Sequence, residues 1–162
     1  MGEAITLAVV ADSHGSAWAV RRAAARVPVP DYFIHLGDHG QELFEAGVKA
    51  KRELIALRGN CDAMSFSVLE QYVGQIGGLK VLAAHGHRYR VKQDLLSLSL
   101  WGRAEGADLV LYAHSHRRDI TPDGKRILLN PGSCAVPRDG RPPSMAYIEI
   151  LDGKIHPVIL DV

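Results

Sequence analysis

An α/β fold with a largely parallel beginning is what this sequence predicts, and three observations carry the prediction. Short apolar runs recur at strand length, helical segments separate the first of them, and most runs end in turn chemistry.

Ile5–Ala11 is the first apolar run and ends at Asp12-Ser13-His14-Gly15. Ser16 is the expected N-cap of a helix through about Val27, with Pro28 and Pro30 stopping it. Tyr32–Leu36 is a second buried strand, closed by Gly37-Asp38, and Gln41–Ala50 reads as a weak helix. Leu54–Leu57 is a third strand, running into Gly59-Asn60-Cys61-Asp62. Phe66–Ile76 then alternates apolar and polar residues, and Gly77-Gly78 turns the chain into Leu79–Ala84, the pattern of a β-hairpin. That arm ends at His85-Gly86-His87. Gln93–Ala104 is helical, with Leu95, Leu96, Leu98, Ser99 and Trp101 on or near one face. Leu109–Ala113 is another buried strand, ending at His114-Ser115-His116. Ile127–Leu129, Met145–Leu151 and Ile155–Val162 complete the strands, the last two joined by the turn Asp152-Gly153. No linker, repeat or low-complexity stretch interrupts the pattern, so residues 1–162 read as one domain.

Composition narrows the function. Nineteen Lys and Arg face 18 Asp and Glu, a net charge of +1, which leaves no broad basic field for a dedicated nucleic-acid binder. The two cysteines, Cys61 and Cys134, are no disulfide framework and are expected as thiols in a cytoplasmic protein. No apolar run approaches the roughly 20 residues that cross a bilayer, and the opening run reads as a strand rather than a signal peptide.

The chemistry lies at the strand ends. Apart from the outer arm of the hairpin, every strand of the first two-thirds runs into a polar cluster: Asp12/His14, Asp38/His39, Asn60/Asp62, His85/His87 and His114/His116. Carboxyl ends of strands in open α/β sheets share one edge, so these clusters are expected to converge. Carboxylate, imidazole and amide oxygen suit divalent transition metals, and six or seven such donors suit two ions rather than one. In an extended segment Asp12 and His14 would point to the same side, as would His114 and His116. A carboxylate bridges through its two oxygens, and Asp38 is the natural bridge. Adjacent residues point apart, which excludes Ser13 and His14 as a nucleophile–base pair.

Taken together, Asp12-Ser13-His14, Gly37-Asp38, Gly59-Asn60-Cys61-Asp62, His85-Gly86-His87, His114-Ser115-His116 and Asn130-Pro131-Gly132-Ser133 resemble the calcineurin-like metallophosphoesterases. The Gly-Asn-Cys-Asp form and the short chain look like the small prokaryotic phosphodiesterase branch. The resemblance implies two mixed β-sheets packed as a sandwich flanked by helices. It implies a first metal on Asp12, His14 and His116, a second on Asn60, His85 and His114, and Asp38 between them. Manganese is the ion it suggests, and Fe²⁺, Co²⁺, Ni²⁺ and Zn²⁺ suit the same donors. Two cations about 3.5 Å apart would generate a bridging hydroxide to attack phosphorus, with Asn60 helping to stabilise the added charge. The substrate would be a small phosphoester, a nucleotide included, and a homodimer would be unsurprising.

One departure from the wider superfamily matters. Many larger members carry His after the Asn, as the acid that protonates the leaving oxygen; here the position is Cys61. A thiol of ordinary pKa is a poor acid there, so slow turnover of esters with poor leaving groups is expected. Comparing Cys61→His with the unsubstituted protein on aryl and alkyl phosphodiesters tests this, and unchanged leaving-group dependence refutes it. His87 or His39 could take the proton-donor role, with His87 balanced between site and bystander and His39 read as a neighbour of the bridge. Asp62 is read as orienting a neighbouring ligand or phosphate contact, and the Asn130–Ser133 segment as a turn closing the site edge. His35 is read as core or support, His156 as structural, and Arg88, Arg90, Arg117 and Arg118 as surface groups of which one or two meet the substrate's anion. The competing function is a catalytically weak, protein-binding scaffold of the retromer-subunit type; the intact Asp12/His14 pair argues for catalysis.

Overall fold

Strand runs without polar alternation need apolar cover on both faces, and the fold provides it. The structure is a computed structural model that describes residues 2–62 and 68–162. Among them, β1 (Ile5–Val10), β2 (Tyr32–His35) and β3 (Glu53–Ala56) run parallel. β9 (Ser144–Leu151) pairs antiparallel with β1, and β10 (Lys154–Asp161) antiparallel with β9, giving the order β10-β9-β1-β2-β3. The second sheet contains β4 (Gln71–Ile76), β5 (Leu79–Ala84), β6 (Leu109–Leu111), β7 (Arg118–Asp123) and β8 (Arg126–Pro131). Its order is β4-β5-β6-β8-β7, with a parallel centre and antiparallel edges.

Period-two alternation assigns the two faces. Leu7 and Val9 of β1 join Ile34, Ile55, Val81, Leu109 and Ile148 in the core between the sheets. Ala8 and Val10 face the other way and pack with Phe33 and with Ala19, Val20 and Leu43 from α1 (Ala17–Ala24) and α2 (Glu42–Glu45). On the second sheet, Leu82, Val110 and Leu128 are covered by Leu98 of α3 (Leu96–Glu105). The sandwich flanked by helices is therefore the fold.

Element boundaries depart from the sequence reading for local reasons. Ser16 does cap α1, its Oγ accepting the Ala19 N–H at 3.1 Å, but the α-helix closes at Ala24 rather than Val27. Only Glu42–Glu45 of the expected Gln41–Ala50 helix forms, because Gly47 turns left-handed at φ 67°. α3 starts at Leu96, whose N–H is accepted by Asp94 Oδ1 at 2.9 Å, and stops at left-handed Gly106. Of Phe66–Ile76, Gln71–Ile76 is strand and Leu69 makes a parallel bridge to Leu57; Phe66 lies outside the described residues. β7 was not anticipated. Its Arg-Asp-Ile-Thr-Pro-Asp sequence carries little apolar signal, and its Pro122 is tolerated because β7 is an edge strand.

Candidate metal centre

The clusters come from both sheets rather than from one open sheet edge. Asp12/His14, Asp38 and Asn60 follow β1, β2 and β3, while His85 and His114/His116 follow β5 and β6 of the other sheet. Two donor groups result. Asp12, His14, Asp38 and His116 place ligand atoms within 4.8 Å of one another, as do Asp38, His85 and His114. Asp38 Oδ2 lies 3.4 Å from His14 Nε2 of the first group and 3.4 Å from His85 Nε2 of the second. Nε2 of His14 and of His116 stand 3.1 Å apart, about the span of two donors each roughly 2 Å from one ion.

The hydrogen bonds fix which nitrogens are free. His85 Nδ1–H donates to the Leu36 carbonyl at 2.9 Å, and His116 Nδ1–H to the Val136 carbonyl at 2.8 Å. Both rings therefore aim an Nε2 lone pair at the centre, the tautomer of a metal-bound imidazole. Both Asp12 carboxylate oxygens and His85 Nε2 are buried without a hydrogen-bond partner. Orphaned buried donors and acceptors of this kind are costly, and a divalent cation would satisfy all three. The residues present thus fit the metal.

Electrostatics agree with that fit. Burial pushes the Asp12 carboxyl up to about 7, against the pull of His85. Burial also opposes ionisation of Asp38, but the nearby His85 ring, the Cys61 N–H and His14 outweigh it and hold the carboxyl far below its usual range. Burial lowers His114 to about 4, lowers His116, and lowers His14 despite Asp38, so these imidazoles keep their lone pairs near neutral pH.

The backbone corrects one premise. Asp12, His14, Asp38, His114 and His116 all have positive φ, between 46° and 73°. Asp12 and His14 therefore converge from a left-handed turn, not from an extended segment, and so do His114 and His116. Non-glycine residues reach this region at a cost, and such strain gathers at functional sites.

Behind the ligands lies a buried relay. The Gly37 N–H donates to His35 Nδ1 at 3.1 Å, which leaves the proton on Nε2. That N–H donates to Ser13 Oγ at 2.7 Å, and the Ser13 hydroxyl donates to Glu42. His35 is thus the support group allowed for; Glu42 was missed, because a lone Glu in a weak helix carries no signal. Asp62 accepts N–H bonds from His39 and, at 2.7 Å, from Gly59, tying the Asp38 and Asn60 loops together. Ser133 Oγ is buried, donating to the Asp12 carbonyl at 2.8 Å and accepting from Val136 N at 2.7 Å, so it supports the loop and does not face a substrate.

The remaining candidates separate. Asn60 is exposed, with its amide nitrogen 3.6 Å from the Cys61 sulfur. Cys61 is exposed as well; burial of its sulfur and the nearby Asp38 push the thiol up. The His87 ring lies tilted 5.4 Å from His85 and edge-on 6.1 Å from His114, with a buried Nδ1 that has no partner. His39 lies 6.0 Å from His14. Arg88 pairs with Glu70 at 2.9 Å and Arg118 with Asp161 at 2.7 Å, while Arg117 has no ion pair among the described residues. A cleft of about 680 Å³ opens beside the His114–His116 loop. Among the described residues no helix is long and apolar enough to cross a membrane.

Comparison with known proteins follows the same lines. The profile of the calcineurin-like phosphoesterase superfamily domain matches residues 5–153. A probable metallophosphoesterase, YsnB, from Bacillus subtilis strain 168 is 31% identical over 143 residues, 88% of this chain and 82% of that protein. A conserved uncharacterized protein and predicted phosphoesterase from Streptococcus pneumoniae TIGR4 superposes with TM-score 0.81 at 28% identity, covering 99% of this chain and 91% of that one. Vacuolar protein sorting 29 from Cryptosporidium parvum, at 19% identity and TM-score 0.73 over 97% of both chains, shares the fold.

Proposed function

The chain belongs to the calcineurin-like phosphoesterase superfamily, which makes it a metal-dependent phosphoesterase, and from that premise we propose a phosphodiesterase working with two divalent cations. Asp12, His14 and His116 would hold one cation, Asn60, His85 and His114 the other, and Asp38 both. The observation that carries this reading is the sharing of Asp38 between two donor groups. When bound, the cations supply Lewis acidity and a water acidic enough to lose its proton near neutral pH.

The chain's own residues do the rest. His85 and His116 keep their Nε2 lone pairs inward through their bonds to Leu36 and Val136. Asn60, exposed after β3, would ligate through its amide oxygen and donate an amide N–H to the phosphoryl oxygen that gains charge. Cys61, with its thiol held high, gives little proton to the leaving oxygen, so acidic leaving groups turn over fastest. His87 is the imidazole best placed to assist departure, standing beside His85 and His114.

The test is a metal titration of protein stripped by chelator. Stoichiometry near two ions per chain is expected, with manganese-stimulated hydrolysis of bis(p-nitrophenyl) phosphate exceeding that of p-nitrophenyl phosphate. One ion per chain would remove the two-cation reading. No metal-stimulated hydrolysis of either ester would favour the scaffold, whose support here is the fold shared with the sorting protein.

A further inference from the structure

We propose that the cleft beside the metal centre binds a second phosphate, so that the substrate is a small phosphoester bearing one phosphoryl group beyond the one hydrolysed. The inference rests on the phosphoesterase reading above and names its substrate class.

The cleft is lined by Lys92, Arg117, Arg118, Arg138 and Arg141, among others. Its two carboxylates are already engaged. Asp119 accepts from Tyr112 Oη at 2.9 Å and Thr121 Oγ1 at 2.5 Å; Asp139 accepts the backbone N–H groups of Arg118 and Arg141, each at 3.1 Å. Arg118 is engaged too, with Asp161 at 2.7 Å and the Pro142 carbonyl at 2.8 Å. The side chains of Lys92, Arg117, Arg138 and Arg141 have no ion pair among the described residues. On a chain of net charge +1, five cationic side chains against two carboxylates around one cleft are a local excess of positive charge that an anion would relieve.

The cleft adjoins the metal centre at the His114–His116 loop. Ser115, between His114 and His116, lines it, and the Arg138 N–H donates to the His116 carbonyl at 3.0 Å. Arg138 is tied to His116 by that bond, and Lys92 lines the same cleft. Arg117 and Arg141 line the cleft as well, with no ion pair among the described residues. Bound cations at the centre would already neutralise the scissile phosphate, which leaves the cleft's unpaired arginines, Arg117 and Arg141 among them, for another. A volume of about 680 Å³ lies in the range of small-ligand sites and suits a nucleotide-sized molecule. The cleft's aromatic residue, Tyr112, is buried with its hydroxyl engaged, so recognition there is by charge rather than base stacking. In the reaction, water oxygen bonds to the scissile phosphorus, the P–O bond to the leaving oxygen breaks, and that oxygen ends with a proton from the water. The second phosphate leaves unchanged.

The experiment is isothermal titration calorimetry on the manganese-loaded full chain, with adenosine 3′,5′-bisphosphate and AMP as probes. The bisphosphate should bind about tenfold or more tightly than AMP, the worth of a charge-assisted contact. Arg117→Ala with Arg141→Ala should abolish that preference, the double Lys variant should recover part of it, and Lys154→Ala, at an exposed site away from the cleft, should keep it. Equal affinity for both probes, or a full preference in the double Ala variant with an unchanged Tm, overturns the proposal. Hydrolysis of bis(p-nitrophenyl) phosphate by the same preparation separates the failures. Hydrolysis without bisphosphate preference overturns the subsite alone; no hydrolysis removes the phosphoesterase reading and the subsite with it.

Discussion

Ser13 stands between two candidate ligands and points away from both, into a relay with His35 and Glu42. The relay needs His35 neutral, since Nδ1 must accept from Gly37, and burial lowers its pKa to about 3. The native state therefore takes up fewer protons here than the unfolded chain, whose His titrates near 6.5. Stability from this group is complete above pH 6.5 and declines as pH falls towards 3, at up to about 1.4 kcal/mol per pH unit. His35→Gln keeps a donor and an acceptor but cannot titrate. Urea unfolding of chelator-treated protein between pH 6.5 and 4.5 should show a shallower acid slope for the variant; identical slopes would mean that His35 is not buried neutral. The relay was only half legible in sequence, because its members are far apart and none is rare. The six His and Asp candidates that gather into the two donor groups were legible because few residue types bind such cations, and five polar clusters in order are hard to produce by packing alone.

At the scale of elements, two loops approach so closely that glycine is required at both. A Cβ on Gly37 would meet Gly59 N at 2.6 Å, and one on Gly59 would collide with the Asp38 carboxylate. The strand ends of β2 and β3 are thus pressed together, and the contact sets where Asp38 points. Gly59→Ala should displace Asp38, weakening metal affinity by about 10–100-fold, the usual effect of disturbing groups around a ligand. Calorimetric titration with Mn²⁺ measures it, and wild-type affinity with intact folding would show that the loop tolerates a methyl group. The sequence marked both loops as turns, yet it could not reveal that they touch, since that depends on the parallel pairing of Phe33 with Leu54 and Ile34 with Ile55. β7 stayed hidden for the opposite reason: an edge strand answers to pairing with β8 more than to its own apolar content. The hairpin turns were legible because Gly77-Gly78 and Asp152-Gly153 carry the positive φ values that two-residue loops demand.

Across the whole molecule, the candidate ligands join two sheets that also meet through an apolar core, a Ser144 hydroxyl bond to the Pro131 carbonyl and the Arg118–Asp161 ion pair. Asp12, His14, Asp38 and Asn60 belong to one sheet, and His85, His114 and His116 to the other. Each sheet alone presents half a site, so cations held there would bind the assembled sandwich and not the unfolded chain. Binding restricted to the native state adds about 2.7 kcal/mol at a hundredfold excess over Kd, or roughly 5–10 °C in Tm for a chain of this size. Chelator should therefore lower the Tm by that amount, and manganese should restore it. His114→Ala isolates the metal's share, since no side-chain hydrogen bond involves His114 among the described residues. Its chelated Tm should stay near that of the chelated wild type, while its gain on adding manganese shrinks. The His85 ring also bonds to the Leu36 carbonyl on the other sheet, so His85→Ala should lower the Tm in both conditions. A Tm indifferent to chelator, with both variants behaving alike, would mean that no cation bridges the sheets.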